Sequence, residues 1–459
     1  MSGRQNNSSA KPPNTGWFKR LVLRFSQYIP SRATRATRAR SKVEPRNSPQ
    51  LPPLPPLPPL PQLPPSRLSK LKPLPPKPPD DLDLRINRYN LIQETLKELN
   101  KNDQNKLTKY ACLQKNYDNT YYIKDIITLD ERIGSQSENG AIYKTVIKGN
   151  HINIATKVME SSNGNKLETK LMKAITEQII MTKKSKHFVI MYCYSLCKEL
   201  ERKEANYALV NFNELAKNDL EILLQQKKIL EDEELLYNIL LQAIISIGTF
   251  HNFTGYIHSD CHLKNFLYID NTENNRGDMM RYYQYSFDDK KYYLKSSKYN
   301  LMIYDFGFST DTGMDDENLI YHILGTYIII KRNETGEEYT DEEIISLIYD
   351  IKVNLKDHKA KLIIEDYLRL LYNLRNISDI HSDIFTKINN IIDNLEKIKF
   401  KNANDLLKQI LEAVLNICIN EFKKINIFTD KLPEGGIIIN AQPFEFYRKT
   451  KLSIALPDI

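Results

Sequence analysis

The sequence predicts an α+β protein with two lobes, a small β-rich N-terminal lobe and a larger helical C-terminal lobe, preceded by a disordered proline-rich tail. Short β-rich runs dominate residues 121–215, whereas helical periodicity dominates residues 216–459. A tract of repeated prolines comes before both regions. At 459 residues and 41% hydrophobic content, the chain is long enough for a two-lobed body and an appendage.

The predicted tail covers residues 1–81, and its first part has a large excess of basic over acidic residues. Its first fifty positions hold eleven Lys or Arg and one acid, Glu44, while the whole chain has a net charge of +8. The rest of the chain is therefore close to neutral. This distribution favours an acidic partner or a membrane surface at the tail, or a merely solubilising role, and not a specific nucleic-acid groove.

The proline tract covers residues 51–79. Its prolines donate no backbone hydrogen bonds and favour an extended polyproline helix. The segment from Lys72 to Pro78 has the basic-x-x-P-x-x-P pattern that aromatic-lined grooves of SH3- and WW-type modules accept. A stiff spacer is the alternative interpretation.

The remaining composition bears on the compartment. The five cysteines form no C-x-x-C pair, so neither a disulfide framework nor a zinc site is predicted. No apolar run is long enough to span a bilayer, and the N-terminus lacks the apolar core of a signal peptide. We expect a cytoplasmic protein that is not secreted and has no transmembrane segment.

A helical extension is expected over residues 82–120, because apolar residues recur at helical spacing between Leu84 and Leu99. Five β-rich runs follow, with one amphipathic helix between the third and the fourth. The predicted strands are Tyr122–Thr128, Ala141–Ile147, His151–Met159, Phe188–Tyr194 and Tyr207–Phe212.

The C-terminal region begins with a helical run, Glu233–Phe250, that has a broad apolar face. It leads into the sequence HSDCHLKN at residues 258–265, which a short apolar strand pattern follows. A second buried-strand pattern ends at Asp305-Phe306-Gly307. Between these strands, at about residues 270–299, a tyrosine-rich insertion is expected to form an extended hairpin.

Asp260, Asn265 and Asp305 are the residue types that phosphoryl transfer from ATP needs. One carboxylate orients the attacking hydroxyl, and an amide with a second carboxylate can bind magnesium against the phosphates. The pattern H-x-D-x-x-x-x-N followed by D-F-G resembles the protein-kinase superfamily. The resemblance implies that Asp260 is the catalytic base, that His258 stabilises its loop, and that Asn265 and Asp305 bind magnesium.

The resemblance also implies a nucleotide site. Lys157, which ends the run Ile154-Ala155-Thr156-Lys157, is expected to contact the α- and β-phosphates. Glu168 on the next helix is expected to orient this lysine, with Glu177 as the alternative. The hinge that binds adenine through main-chain groups is expected at residues 213–216, including Glu214 and Leu215.

The phosphate-covering glycine loop of the family belongs at residues 133–144. Gly134, Ser135, Gly140 and Ile142 are the candidate contacts there. The central glycine is missing and the spacing from Gly134 is one residue longer than in the family. Backbone amides can still approach a phosphate at serines, but an ordinary hairpin turn is the alternative interpretation.

Three departures affect what the resemblance implies. Ser259 replaces the arginine that receives a phosphorylated activation loop, so control by such phosphorylation is not expected. No A-P-E sequence occurs in residues 308–333. His262 replaces the lysine two positions after Asp260, a feature reminiscent of aminoglycoside and choline kinases, and Lys264 is expected to neutralise charge on the transferred phosphoryl group instead.

The chain is most similar to atypical serine/threonine-protein-kinase-like proteins of giant DNA viruses, over about residues 120–310. The resemblance implies an ATP- and magnesium-dependent kinase of protein hydroxyls, in the host cytoplasm or the virion. A small-molecule kinase is one alternative. A kinase-fold scaffold with weak catalysis, which binds partners through its proline tract, is the other.

Overall fold

The computed structural model describes residues 81–101, 114–115, 121–123, 127–137, 140–147, 152–198, 207–271, 280–377, 380–399, 405–448 and 456. These residues belong to the second of two units into which the chain divides, Met1–Lys77 and Pro78–Ile459. The predicted tail up to position 80, with its basic strip, proline tract and SH3-type motif, lies outside the described residues.

The first described element is helix α1, Asp81–Lys101. It is longer at both ends than the predicted helix, and two acids in its first turn suit the positive end of the helix dipole. Ile92 and Leu96 are buried, and the ring of Tyr89 stacks on that of Tyr192 at 6.1 Å. The helix therefore packs on the sheet that follows it.

That sheet has seven antiparallel strands in the order β1-β2-β3-β4-β5-β7-β6. The strands are β1 (Gln114–Lys115), β2 (Tyr121–Ile123), β3 (Ile127–Ser137), β4 (Gly140–Ile147), β5 (Asn153–Glu160), β6 (Met191–Lys198) and β7 (Tyr207–Asn213). Helix α2, Asn163–Ile175, and a π-helical turn, Thr176–Ile180, come between β5 and β6. The helix lies between the third and fourth predicted strands, as expected. However, β1 lies within residues 82–120, where the sequence predicted a helical extension, and β3 continues to Ser137, through part of the predicted glycine loop. Two predicted strands also differ in their bounds.

The predicted strand Tyr122–Thr128 was wrong as a single element. It contains parts of β2 and β3, which pair with Ile123 opposite Ile127, so the chain reverses inside the predicted run. The predicted strand starting at Phe188 begins only at Met191. Phe188 instead forms an isolated parallel bridge with Ile303, far along the chain. Both runs have the composition of a strand. The bounds differ because the residues that pair with a strand, and not its composition alone, decide where it begins.

The rest of the described chain is mainly helical. The helices are α3 (Leu220–Leu224), α4 (Lys227–Leu230), α5 (Glu233–Thr254), α6 (Asp316–Thr335), α7 (Asp341–Val353), α8 (Leu355–Arg375), α9 (Ser382–Lys397) and α10 (Leu406–Glu421). The helix α5 confirms the predicted helical run. Asp232 caps its start, and Gly255, in the left-handed conformation with φ 74°, ends it just before residues 258–265.

Two small sheets flank the residues with candidate chemistry. One has the order β13-β10-β8 and the other pairs β14 with β9. Their strands are β8 (Asn218–Asp219), β9 (Tyr256–Ile257), β10 (Phe266–Asp270), β13 (Tyr299–Ile303) and β14 (Thr310–Asp311). Because β10 pairs with β13 antiparallel, the start of one lies beside the end of the other, with Phe266 opposite Ile303. This register brings Asn265 and Asp305 to the same end of the sheet.

The insertion between β10 and β13 contains the predicted hairpin, β11 (Arg281–Phe287) and β12 (Lys290–Lys295). Three C-terminal strands extend it into a five-stranded sheet: β15 (Phe428–Thr429), β16 (Ile437–Ile438) and β17 (Phe444–Tyr447). The sequence did not predict these strands, which are two to four residues long. One buried apolar cluster runs from α1 through the main sheet and α5 to this sheet. Among the helices that the structure describes, none is long and apolar enough to cross a membrane.

Candidate active site

Lys157 is the central cation of the candidate site. It lies on β5 between Ile142 of β4 and Asn211 of β7, so three strands fix its backbone. Its Nζ atom lies 2.8 Å from both carboxylate oxygens of Glu168 and 3.0 Å from Oδ1 of Asp305. Only 3% of the side chain is exposed. The structure therefore brings together two residues that the sequence predicts for the nucleotide site, Lys157 and Glu168, and the predicted magnesium ligand Asp305.

The glutamate that contacts Lys157 is Glu168, the preferred of the two predicted candidates. It lies in α2, is fully buried, and faces β5. Glu177 is exposed in the π-helical turn that follows α2. Ser162 fixes the start of α2 by accepting a hydrogen bond from the backbone N–H of Asn165 at 3.2 Å.

The ammonium of Lys157 thus contacts two carboxylates, and these contacts affect the pKa values of Lys157, Glu168 and Asp305. Burial alone would lower the pKa of Lys157, but Glu168 and Asp305 raise it well above its ordinary value. Burial raises the pKa of Glu168 to about 7, against the opposing effect of Lys157. Burial also acts to raise the pKa of Asp305, but Lys157 holds it below its ordinary value. Of the two acids, Asp305 is the one whose pKa lies below its ordinary value, so it is ionised at neutral pH.

Asp305 follows β13 in a left-handed backbone conformation, φ 65°, which a non-glycine residue adopts only when its surroundings hold it there. On one side, the N–H of Tyr304 donates to the carbonyl of Asn265 at 2.9 Å. On the other side, the Phe306 ring stacks on Phe250 of α5 with centroids 4.8 Å apart. These contacts present the carboxylate beside Lys157, with 31% of its side chain exposed.

Asp260 is surrounded by hydrogen-bond donors. The Asn265 amide nitrogen donates to its carbonyl at 2.8 Å and to its Oδ2 at 3.2 Å. His262 Nε2 lies 3.3 Å from Oδ2, and Arg369 Nη1 donates to Oδ1 at 3.0 Å. Burial alone would raise the pKa of Asp260, but His262, with His258 and Arg369, keeps it below its ordinary value. The carboxylate is therefore ionised, oriented and partly accessible.

His258 stabilises the loop from within. Its side chain is fully buried, and its Nε2 donates to the carbonyl of Tyr304 at 2.9 Å, which ties the loop to the residue before Asp305. Its own backbone N–H donates to Oδ2 of Asp366 at 2.8 Å. The predicted stabilising role of His258 is consistent with these contacts.

Asp366 and Arg369, one turn apart on α8, are two residues that the sequence interpretation missed. Asp366 is 1% exposed and accepts from the N–H groups of His258 and Ser259 and from His251 Nε2, at 2.7 to 2.8 Å. Arg369 donates to the carbonyl of Ser259 at 2.7 Å as well as to Asp260. Their spacing in one helix was the only available signal, and nothing local in the sequence relates it to residues 258–265.

Lys264 lies apart from these contacts. Its ammonium is 3.2 Å from Oε2 of Glu221 on α3, and half of its side chain is exposed. The backbone N–H of Lys264 donates to His262 Nδ1 at 3.2 Å. The ion pair directs the lysine toward α3, and its expected role beside the phosphoryl group stays a prediction.

The predicted glycine loop is the end of the β3–β4 hairpin. Ser137 pairs with Gly140, and Ser135 is part of β3. Gly134 has φ 78° and an exposed position. At Gly140, φ is 148° and an added Cβ would lie 2.5 Å from the carbonyl oxygen of Val158. Close packing therefore also favours glycine at this position. Through β4, the hairpin is joined directly to the strand of Lys157.

The predicted hinge directly follows β7. The backbone N–H of Glu214 donates to the carbonyl of Ile190 at 2.8 Å, and Leu215 is half-buried. The Glu214 carboxylate accepts from Arg85 Nε at 2.8 Å and from Nη2 at 2.7 Å. This side chain is therefore directed toward α1, so any adenine contact of Glu214 would use its main-chain carbonyl.

Asn265 and Asp305 are the two residues that could bind a cation through side-chain oxygen atoms. Because the Asn265 nitrogen binds Asp260, its amide oxygen is the atom left for a metal. One amide and one carboxylate fit magnesium, which binds through few protein oxygens and takes further ligands from phosphates and water. Within the part of the chain that the structure describes, no cluster of three or more His, Cys, Asp or Glu could hold a metal without such added ligands.

A scan against models of protein families finds no match to this chain, and a search of curated proteins finds no matching relative.

Proposed function

We propose that this chain is an ATP- and magnesium-dependent phosphotransferase with a two-lobed, protein-kinase-like fold, and that it phosphorylates serine or threonine hydroxyls of proteins. The observation that carries the proposal is the contact of Lys157 with both Glu168 and Asp305. The first of these residues is 11 positions from the lysine and the second is 148 positions away. In protein kinases, a strand lysine that pairs with a helix glutamate beside the D-F-G aspartate binds the nucleotide phosphates.

Each group of the site has one role in the proposed reaction. The substrate hydroxyl oxygen forms a bond to the γ-phosphorus, and the bond from that phosphorus to the bridging oxygen of ADP breaks. The carboxylate of Asp260 accepts the hydroxyl proton. Lys157 offers its ammonium to the α- and β-phosphates. Asn265 and Asp305 would hold magnesium, which supplies charge neutralisation at the phosphates when bound.

Electrostatics support this division of roles. Asp260 and Asp305 both have lowered pKa values, for which burial is outweighed by neighbouring cations. Both are thus anionic at neutral pH, as an orienting carboxylate and a metal ligand must be. A pair of acids kept charged beside exposed donors is common at functional sites.

A second candidate is a small-molecule kinase, and one observation favours it. Helix α6 begins at Asp316, eleven positions after Asp305, which leaves a short connection where a peptide-binding platform would lie. Within this connection Thr310 and Thr312 are buried, and Lys359 donates to the carbonyl of Thr312 at 2.6 Å. A short, fixed connection suits a compact acceptor.

The test is transfer of radiolabelled γ-phosphate by the purified full-length chain with magnesium. Three acceptors are compared, namely a dephosphorylated protein mixture, choline and an aminoglycoside. The proposal expects label on serine or threonine of proteins, lost in Asp260→Ala. Label on a small molecule alone would select the second candidate. Equal label from wild type and Asp260→Ala, or nucleotide binding with no transfer in any arm, would overturn the proposal.

A further inference from the structure

We propose that Arg369 is the cation that positions Asp260 for phosphoryl transfer. This inference rests on the proposed function and adds to it a residue from outside the loop 258–265. It makes helix α8 a part of the active site and not only of its support.

The contacts of Arg369 are specific to the loop. Its Nη1 atom donates to two acceptors at once, Ser259 O at 2.7 Å and Asp260 Oδ1 at 3.0 Å. One turn earlier, Asp366 accepts from the N–H of Ser259 at 2.8 Å. A single turn of α8 therefore binds both the amide and the carbonyl side of Ser259.

The contacts of Asp366 and Arg369 with Ser259 stabilise an unfavourable backbone conformation. Ser259 has φ 63°, in the left-handed region that disfavours a residue with a Cβ. Such strain persists only where the surroundings over-determine it. The hydrogen bonds of Ser259 with Asp366 and Arg369 hold it in this conformation, and Ser259 immediately precedes Asp260. The direction of the Asp260 side chain thus depends on α8.

The two oxygens of Asp260 are divided between different donors. Oδ2 lies near Asn265 and His262, at 3.2 Å and 3.3 Å, whereas Oδ1 binds Arg369. Without the guanidinium, Oδ1 loses its charge-assisted hydrogen bond and the carboxylate can rotate. The ammonium of Lys264 is instead paired with Glu221, 3.2 Å away.

The exposure of Arg369 suits a role at an open site. Its side chain is 39% exposed and that of Asp260 is 24% exposed, so both are accessible to a substrate. A guanidinium carries five N–H donors in a planar fork. Its Nη1 atom makes both contacts with the loop, and the guanidinium has further N–H donors at Nε and Nη2. A lysine at this position would offer one charge but not this geometry.

The test compares Arg369→Ala, Arg369→Lys and Lys264→Ala in the full-length chain, with Arg375→Ala as the matched control. Arg375 lies in the last turn of the same helix and packs over the Tyr372 ring at 4.9 Å. We expect kcat to fall roughly 100-fold in Arg369→Ala, the scale of a misplaced reacting group. The KM for ATP should change less than about twofold, because Lys157 and Asp305 are untouched.

Three further results define the outcome. Guanidinium ion added at millimolar concentration should restore part of kcat in Arg369→Ala but not in Asp260→Ala, which a merely structural role would not produce. Arg369→Lys should lie between wild type and Arg369→Ala, and it serves as the folded variant if the alanine variant unfolds. Unchanged kcat in both Arg369 variants, or a larger loss in Lys264→Ala, would overturn the inference alone. No transfer by the wild type would overturn it together with the proposed function.

Discussion

Arg85 and Glu214 form an ion pair of 2.7 Å with only 6% and 4% of their side chains exposed. Arg85 belongs to α1, and Glu214 follows β7 at the predicted hinge. The same guanidinium also donates to the carbonyls of Lys186 and Phe188, at 2.7 Å and 2.6 Å. The helix that precedes the main sheet is thereby bound to the segment that leads to the helical part.

Removal of Arg85 should be costly, because it leaves the Glu214 carboxylate buried without a partner. We expect Arg85→Ala to lower the free energy of unfolding by about 3 to 5 kcal/mol, measured by urea unfolding. Arg88→Ala on the same helix is the control. Arg88 is half-buried and donates to the carbonyl of Asn153 at 2.7 Å, so its loss should cost about 1 kcal/mol. Equal effects of the two changes would contradict this account of α1.

Glu168 should make stability depend on pH in an unusual direction. Its pKa is raised from 4.5 to about 7 by burial, so the folded chain binds a proton that the unfolded chain releases. That contribution is complete below pH 4.5 and is lost as the pH rises through 7. Relative to wild type, Glu168→Gln should gain about 3 kcal/mol in free energy of unfolding between these limits. Glu177→Gln, at an exposed position, should have the same change of unfolding free energy with pH as wild type. A difference between Glu168→Gln and wild type that does not change with pH would contradict the pKa shift.

Asp366 should support both stability and transfer. In Asp366, Oδ1 accepts from the N–H of Ser259, and Oδ2 accepts from the N–H of His258 and from His251 Nε2. In Asp366→Asn, one of these oxygens becomes an NH2 group that faces other donors. We expect a loss of about 2 to 4 kcal/mol in urea unfolding, with kcat reduced more than the KM for ATP. Asp357→Asn, at an exposed position of the same helix, should change neither. Wild-type kcat in folded Asp366→Asn would show that the loop does not need this carboxylate.

The C-terminal strand β17 should be required for the sheet built on the insertion. Phe444 is 2% exposed and packs against Tyr283 and Tyr285, with centroids 5.8 Å and 5.5 Å away. Phe444→Ala should cost about 3 to 5 kcal/mol in thermal or urea unfolding. Phe385→Ala is the control because that ring is 41% exposed. A cost below about 1 kcal/mol at Phe444 would mean that β17 is not part of the cooperative core.

The parts of the fold that the sequence predicted are those with local signals. The helix α5 has a continuous apolar pattern, and the residues of the loop 258–265 have fixed spacings that do not depend on distant packing. The same holds for the hairpin of β11 and β12, whose strands are rich in tyrosine. These elements are specified largely by neighbours in the chain, so periodicity and motif spacing were sufficient.

The missed parts depend on tertiary contacts. Arg85, Asp366 and Arg369 come from helices in which an isolated charged residue is ordinarily a solvated one, and only the packing of α1 and α8 brings them to their partners. The strand β17 pairs in parallel with β11, more than 150 positions earlier, with Tyr285 opposite Phe444. A strand of four residues has no periodicity to detect. Likewise, the ion pair of Lys264 with Glu221 is a contact that the spacing of the motif does not predict.

The most direct test of the central claim is a calorimetric titration of the full-length chain with ATP, with and without magnesium. The claim is that Lys157, Asp305 and Asn265 form one site for magnesium-bound ATP. We expect saturable binding that requires magnesium, with affinity at least tenfold weaker in Lys157→Ala and in Asp305→Ala, a loss of about 1.4 kcal/mol or more. Absence of binding, or the same isotherm for wild type and both variants, would contradict the claim.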